Sequence, residues 1–213
     1  MKKKKEVKFS VALGLFDYIN PICYAVTCIS IILGLRGVMD TYLYVIYIIG
    51  ALISMIFGLT IPTVKLLVGL GKFKFKMPVN LVFYVNSGIF ISSLAIFKFI
   101  FNVNLLLMFA IIFTLVNLLL VIYRGSKNFN TVAVMTGALG YILIYASFIT
   151  HAIRCGILLP IILYALAIIF FISLCCIGIK ANLKDAKVHW VIETCNVLCQ
   201  ALVAIATLVL FVL

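Results

Sequence analysis

The sequence predicts an all-α integral membrane protein: a single bundle of about seven transmembrane helices, with the N-terminus in the cytoplasm and the C-terminus outside. Its composition is the first reason. Of the 213 residues, 67% are hydrophobic and 10% are charged, against about 45–50% and about 25% in soluble domains. A water-soluble fold of this length buries only about 70% of its surface. Lipid must therefore be the solvent for most side chains.

Apolar runs separated by short loops are the second reason. A spanning helix needs about 20 predominantly apolar residues. The second run is expected to bend near Pro62, because the proline ring removes a helix hydrogen bond. No polar stretch is long enough for another domain, so residues 1–213 are expected to form one transmembrane domain. The seven predicted spans are Val11–Leu35, Tyr42–Gly69, Val79–Phe101, Asn104–Tyr123, Thr131–Thr150, Ile157–Ile179 and Val191–Leu213.

The distribution of positive charge is the third reason, and it predicts the orientation. All of the 17 Lys and Arg residues except Arg36, Lys98 and Arg154 fall on one predicted side, at the N-terminus and around the second, fourth and sixth loops. The positive-inside rule places that side in the cytoplasm. The formal net charge of +12 therefore reflects topology. No nucleic-acid partner is expected, since such a protein needs a folded basic surface.

The first span and the overall residue usage bear on localisation. Asp17, Asn20 and Pro21 interrupt the first apolar segment, and no small-residue cleavage site follows it, so it is expected to stay in the mature chain. Frequent Lys, Ile and Asn are typical of an AT-rich genome. We expect a multi-pass protein in the lipid bilayer of a bacterial cell membrane.

The seventh predicted span carries a stripe of polar side chains. At 100° per residue the stripe occupies an arc of about 60°. A buried acid in lipid costs roughly 2.5–3.5 kcal/mol, so Glu193 is expected to face the bundle, near Lys65, Asp17 or both. The stripe either lines a pathway for a solute or only joins helices by hydrogen bonds. It comprises His189, Glu193, Asn196, Gln200 and Thr207.

The first span allows two interpretations of Asp17. A true helix break near Pro21 would expose backbone groups able to bind an ion or a substrate. The interpretation that the sequence favours is simpler: residues 9–18 lie along the inner interface, the span starts near Asn20, and Asp17 is solvated. Lys65 is expected to extend its ammonium toward the interface, although Asp17 and Glu193 are at a similar depth and could pair with it.

Small residues indicate close helix packing in two spans. Gly50, Ser54 and Gly58 follow one another at four-residue spacing, which lets helix backbones approach in lipid. They are also candidates for docking another membrane protein or a second copy of the chain. The fifth span carries a comparable face, formed by Ala133, Gly137, Gly140, Ser147 and His151.

Metal, cofactor and catalytic sites are not expected. His189 and Glu193 form one pair, too few ligands for a metal, and His151 is predicted on the opposite side of the membrane. Of the seven cysteines only Cys155 falls in a predicted outer loop, so no disulfide framework is implied. No motif is specific enough to assign a catalytic residue.

Three classes of function remain. The first is a small transporter, channel or substrate-binding membrane component. The second is a non-catalytic partner subunit. The third is a membrane-embedded enzyme acting on lipid, with Glu193, His189 and Asp17 as its reactive groups. The candidate residues of a polar pathway are Asp17, Asn20, Lys65, Asn86, Asn117, His189, Glu193, Asn196 and Gln200.

Overall fold

The computed structural model describes residues 10–72, 79–104, 129–180 and 186–213, together with the isolated positions 112, 116 and 119. Within these residues all regular structure is helical, as predicted. The helices are α1 (Val11–Asp17), α2 (Ile19–Leu35), α3 (Thr41–Gly69), α4 (Val79–Phe101), α5 (Phe129–Cys155), α6 (Leu158–Lys180) and α7 (Ala186–Phe211).

Five segments of the described chain are long and apolar enough to cross a membrane. They are Val11–Leu35, Thr41–Gly69, Leu81–Phe101, Val132–Cys155 and Lys187–Phe211, and Leu158–Leu174 is a shorter apolar stretch. The fourth predicted span, with Asn117, lies almost wholly outside the described residues. The chain is thus a helical protein with the apolar segments of a multi-pass membrane protein.

The regular hydrogen-bond ladder of the first predicted span is interrupted at Tyr18, where the backbone keeps helical dihedral angles. Ser10 caps helix α1, and its side chain accepts a hydrogen bond from the Leu13 amide at 3.1 Å. Pro21 has no amide hydrogen to donate to the carbonyl of Asp17, four residues earlier, so the regular ladder is interrupted there. In addition, the Tyr18 amide donates to the carbonyl of Leu15, three residues back, where a regular α-helix would use the residue four back. By contrast, α3 continues through Pro62 to Gly69.

Helix ends determine how neighbouring helices connect. Gly71 follows α3 with φ +71°, and Gly156 follows α5 with φ +70°, a left-handed conformation that costs glycine little. The amide of Ile157 then donates to the carbonyl of Ala152 at 3.0 Å. Helix α5 thus extends to Cys155, and α7 already begins at Ala186, so both are longer than the predicted spans. His151 and His189 lie inside helices.

The described helices form a closed ring. Helix α3 packs on α4, α4 on α5, α5 on α6 and α6 on α7, while α7 returns to α2 and α1 packs on α3. One end of the ring is filled by a hydrophobic core, in which Ile96, Phe148 and Tyr164 are fully buried. The outside carries many exposed Ile, Leu and Val side chains, the surface that lipid requires.

Close packing of α3 on α4 confirms two of the three predicted small-residue contacts. A Cβ added to Gly50 would lie 2.7 Å from the carbonyl oxygen of Gly88, and the Ser54 hydroxyl donates to the Val85 carbonyl at 2.5 Å. Both residues thus contact α4 of the same chain. Among the described residues nothing lies within 4 Å of a Cβ added to Gly58, so this part of the chain does not show the contact predicted there. Docking of another protein there remains a prediction.

The small-residue face predicted in the fifth span also packs as expected. Ala133 and Ser147 are fully buried in α5. Gly137 lies against the side chain of Asn86 from α4, and Gly140 lies against the backbone of Phe90. A larger residue at either glycine would separate the two helices.

Candidate functional site

A cavity of about 400 Å³ lies inside the ring. Along α3 it runs from Lys65 to Ser54, eleven residues, or roughly 16 Å of helix at about 1.5 Å per residue. Residues of α4, α5, α6 and α7 complete the wall. The cavity therefore extends from the end of the ring where α3 finishes toward the packed core at the other end.

Three charged side chains meet at one end of the cavity. The ammonium of Lys65 donates to Oδ2 of Asp17 at 2.7 Å and also to Oε1 of Glu193. The three side chains are only 6–8% exposed. The predicted proximity of Glu193 to Lys65 and Asp17 is confirmed. The favoured interpretation of Asp17 as a solvated residue is wrong, because α1 packs on α3 and buries its carboxylate.

Asn20, in the first turn of α2, donates hydrogen bonds to both carboxylates. Its Nδ2 donates to Oδ1 of Asp17 at 2.8 Å and to Oε2 of Glu193 at 3.3 Å. Its Oδ1 is buried without a hydrogen-bond donor among the described residues. Asp17 and Asn20 are three residues apart and share one helix face, so both polar side chains lie beside the one carboxylate of α7.

Burial of this ion cluster is costly unless every charge is paired. Removing charged groups from water costs several kcal/mol each, and their mutual attraction offsets this only with good geometry. Here Lys65 lies between two acids, and Asn20 supplies further hydrogen bonds to both. The cluster therefore specifies how α1, α3 and α7 fit together more than it adds to net stability.

Amide side chains line the deeper part of the cavity. Asn86 of α4 donates to the Ala133 carbonyl of α5 at 2.7 Å. Gln200 of α7 donates to the Tyr141 hydroxyl at 2.9 Å, and Asn196 lies between Gln200 and Glu193 on the same wall. From Glu193 onward the polar stripe of α7 faces the interior, as predicted, and Thr207 at its far end is fully buried.

The structure brings most of the predicted pathway residues to one cavity. Seven line it: Asp17, Asn20, Lys65, Asn86, Glu193, Asn196 and Gln200. His189 lies one turn before Glu193, partly exposed and away from the lining, so its prediction as a pathway residue is not supported by position. Asn117 lies outside the described residues.

Two aromatic residues of the wall, Tyr141 and Phe171, were missed by the sequence analysis. Their ring centroids lie 5.0 Å apart, and they close one side of the cavity. Tyr24 of α2 also lines the cavity. Tyr141 lies four residues after Gly137 and therefore on the same face of α5 as the small residues, a signal in the sequence that could have identified it. Phe171 lies in the uniformly apolar α6, where no periodic pattern distinguishes an inward side chain.

The chemistry available at this site is binding by charge, amide and aromatic groups. Among the described residues no three His, Cys, Asp or Glu side chains lie close enough to hold a metal ion. Comparison with protein-family models, with curated proteins and with solved structures gives no match to this chain.

Proposed function

We propose that the protein binds a small polar solute in the central cavity and moves it across the membrane. The observation that carries the proposal is the cavity of about 400 Å³ inside the ring of apolar helices, with the Asp17–Lys65–Glu193 cluster in its lining at one end. Ligand pockets usually have volumes of about 300–1,000 Å³. Ionisable groups inside a helical bundle commonly mark solute pathways.

The proposal includes seven spans, with the N-terminus in the cytoplasm of a bacterial cell. The alternation of Lys- and Arg-rich loops supports it. In that orientation the ion cluster and the cavity belong to the cytoplasmic half, and the packed core around Phe148 and Tyr164 closes the outer half. The described conformation then corresponds to one state of an alternating-access cycle, closed toward the outside.

Uptake into proteoliposomes tests the proposal. Purified protein is reconstituted, and the time course of uptake is measured for radiolabelled amino acids, small amines, sugars and carboxylic acids. We expect at least one polar solute to enter faster than into protein-free liposomes. Equal rates for every solute would contradict transport of these classes.

Gly58 offers a matched pair of variants for this assay. An added Cβ at this position meets no described residue within 4 Å, and the residue lines the cavity. Gly58→Phe should therefore place an aromatic ring in the cavity and obstruct uptake, whereas Gly58→Ala should leave uptake nearly unchanged. Uptake by Gly58→Phe at the unmodified rate would show that the solute takes another route.

A further inference from the structure

The ion cluster contains more negative than positive charge. Asp17 and Glu193 contribute two carboxylates, and Lys65 contributes one ammonium. No other Lys or Arg lines the cavity in the part of the chain that the structure describes. One negative charge is therefore uncompensated when all three groups are ionised, and an uncompensated charge is costly in a medium of low dielectric. A further positive charge would be bound favourably here.

Hydrogen bonding favours the same kind of partner. Nδ2 of Asn20 donates to Oδ1 of Asp17 and to Oε2 of Glu193, and carboxylate oxygens can accept more than one hydrogen bond. A partner that is both cationic and a donor of N–H or O–H groups would therefore suit the two acids.

The remaining wall would suit the carbon skeleton of such a partner. Tyr24, Tyr141 and Phe171 line the cavity deeper than the ion cluster, and aromatic faces attract organic cations. Lys65 shows in the same site that two carboxylates accept an alkylammonium, at 2.7 Å from Asp17.

We propose that the cavity binds a small organic cation with a primary ammonium group, beside Lys65. The ammonium donates to the carboxylate of Glu193, and the rest of the molecule lies against the aromatic wall. The inference rests on the proposed function, since it names the class of solute that the cavity would take.

Ethylammonium chloride is a suitable probe, because it carries the ammonium on a short apolar chain. The unfolding midpoint of the protein in detergent is measured at increasing concentrations, with total chloride and pH held constant. A ligand that binds the native state raises the midpoint with its concentration. We expect a larger rise with ethylammonium than with tetramethylammonium, which has the charge but no N–H, and none with sodium. Equal shifts for all three ions, or no shift, would overturn the proposal.

Two charge variants locate the binding site. Glu193→Gln makes the cluster neutral, so the apparent Kd for ethylammonium should rise at least about tenfold. Asp40→Asn removes the same charge from an exposed residue outside the cavity and should leave the Kd unchanged. An unchanged Kd in Glu193→Gln contradicts the proposal. If that variant does not fold, Asp17→Asn makes the same change of charge, and the comparison of ions on the unmodified protein still decides.

The outcomes separate this inference from the proposed function. Transport of a neutral or anionic solute without ethylammonium binding would refute the cation site and leave transport intact. Ethylammonium binding without uptake of any solute would support the cation site and contradict transport. Stability that responds to pH and not to ethylammonium would show that a proton is the extra positive charge, and the ammonium proposal would then be wrong.

Discussion

Lys65 is the residue on which the buried cluster depends. Its ammonium is the one positive group between two carboxylates that belong to different helices, and its side chain is 7% exposed. Asn20 also donates a hydrogen bond to each acid, so an acid without Lys65 would still have one partner. Asn20 is neutral, however, and cannot replace the positive charge of Lys65. The two acids and Lys65 should therefore respond very differently to substitution.

Loss of Lys65 should be more destabilising than loss of either acid. Lys65→Met leaves two buried carboxylates without a cation and should lower the free energy of unfolding by about 3–5 kcal/mol. Glu193→Gln leaves Lys65 paired with Asp17 and should cost about 1–2 kcal/mol. Unfolding in mixed micelles with increasing dodecyl sulfate measures both.

Lys72→Met is the matched control for Lys65→Met. Lys72 is exposed just after α3, so the same substitution there should change stability by less than about 0.5 kcal/mol. If Lys65→Met is as stable as Lys72→Met, the ion cluster does not hold the helices together.

Among the helices, α3 uses one row of small residues for two purposes. Gly50 and Ser54 let α4 approach at backbone distance, while Gly58, one turn further, leaves open space at the cavity. Equal spacing in sequence therefore does not mean equal surroundings, because α4 contacts only part of the row.

Alanine substitutions on α3 should distinguish these two surroundings. At Gly50 the new Cβ would lie 2.6 Å from the Ser92 amide nitrogen, and backbone must move, so Gly50→Ala should destabilise by about 1–3 kcal/mol. At Gly58 no atom of the described residues lies within 4 Å of the new Cβ, and the higher helix propensity of alanine should stabilise the protein by up to about 1 kcal/mol. Thermal unfolding of the two variants measures the difference; equal midpoints would refute the packing of α3 on α4.

At the scale of the whole molecule, the ring has one packed end and one hollow end. Ile96, Phe148 and Tyr164 fill the end where α2 turns into α3. Asp17, Lys65 and Glu193 lie toward the other end, beside the cavity. Which end faces the cytoplasm decides from which side a solute reaches the cavity.

Reporter fusions test the orientation. Fusions after Lys76, Lys127 and Lys187 should report the cytoplasm, and fusions after Arg154 or Leu213 should report the outside, because Lys- and Arg-rich loops are retained in the cytoplasm. A cytoplasmic Leu213 would show that the chain has an even number of spans.

Local properties of the chain were sufficient for the helical architecture and for the inward face of α7. Apolar length depends on composition, and the grouping of Glu193, Asn196 and Gln200 depends only on helical periodicity. Helix ends were less predictable: α5 extends to Cys155, because Gly156, and not a polar residue, terminates it.

The environment of Asp17, Lys65 and Gly58 depended on contacts between helices distant in the chain. Asp17 is buried because α1 packs on α3, and Lys65 reaches Glu193 across 128 residues of sequence. Sequence periodicity places each residue on a face of its own helix. Whether that face meets another helix, a cavity or lipid follows from how the helices pack, because each backbone contact excludes solvent at one turn and leaves the next turn open.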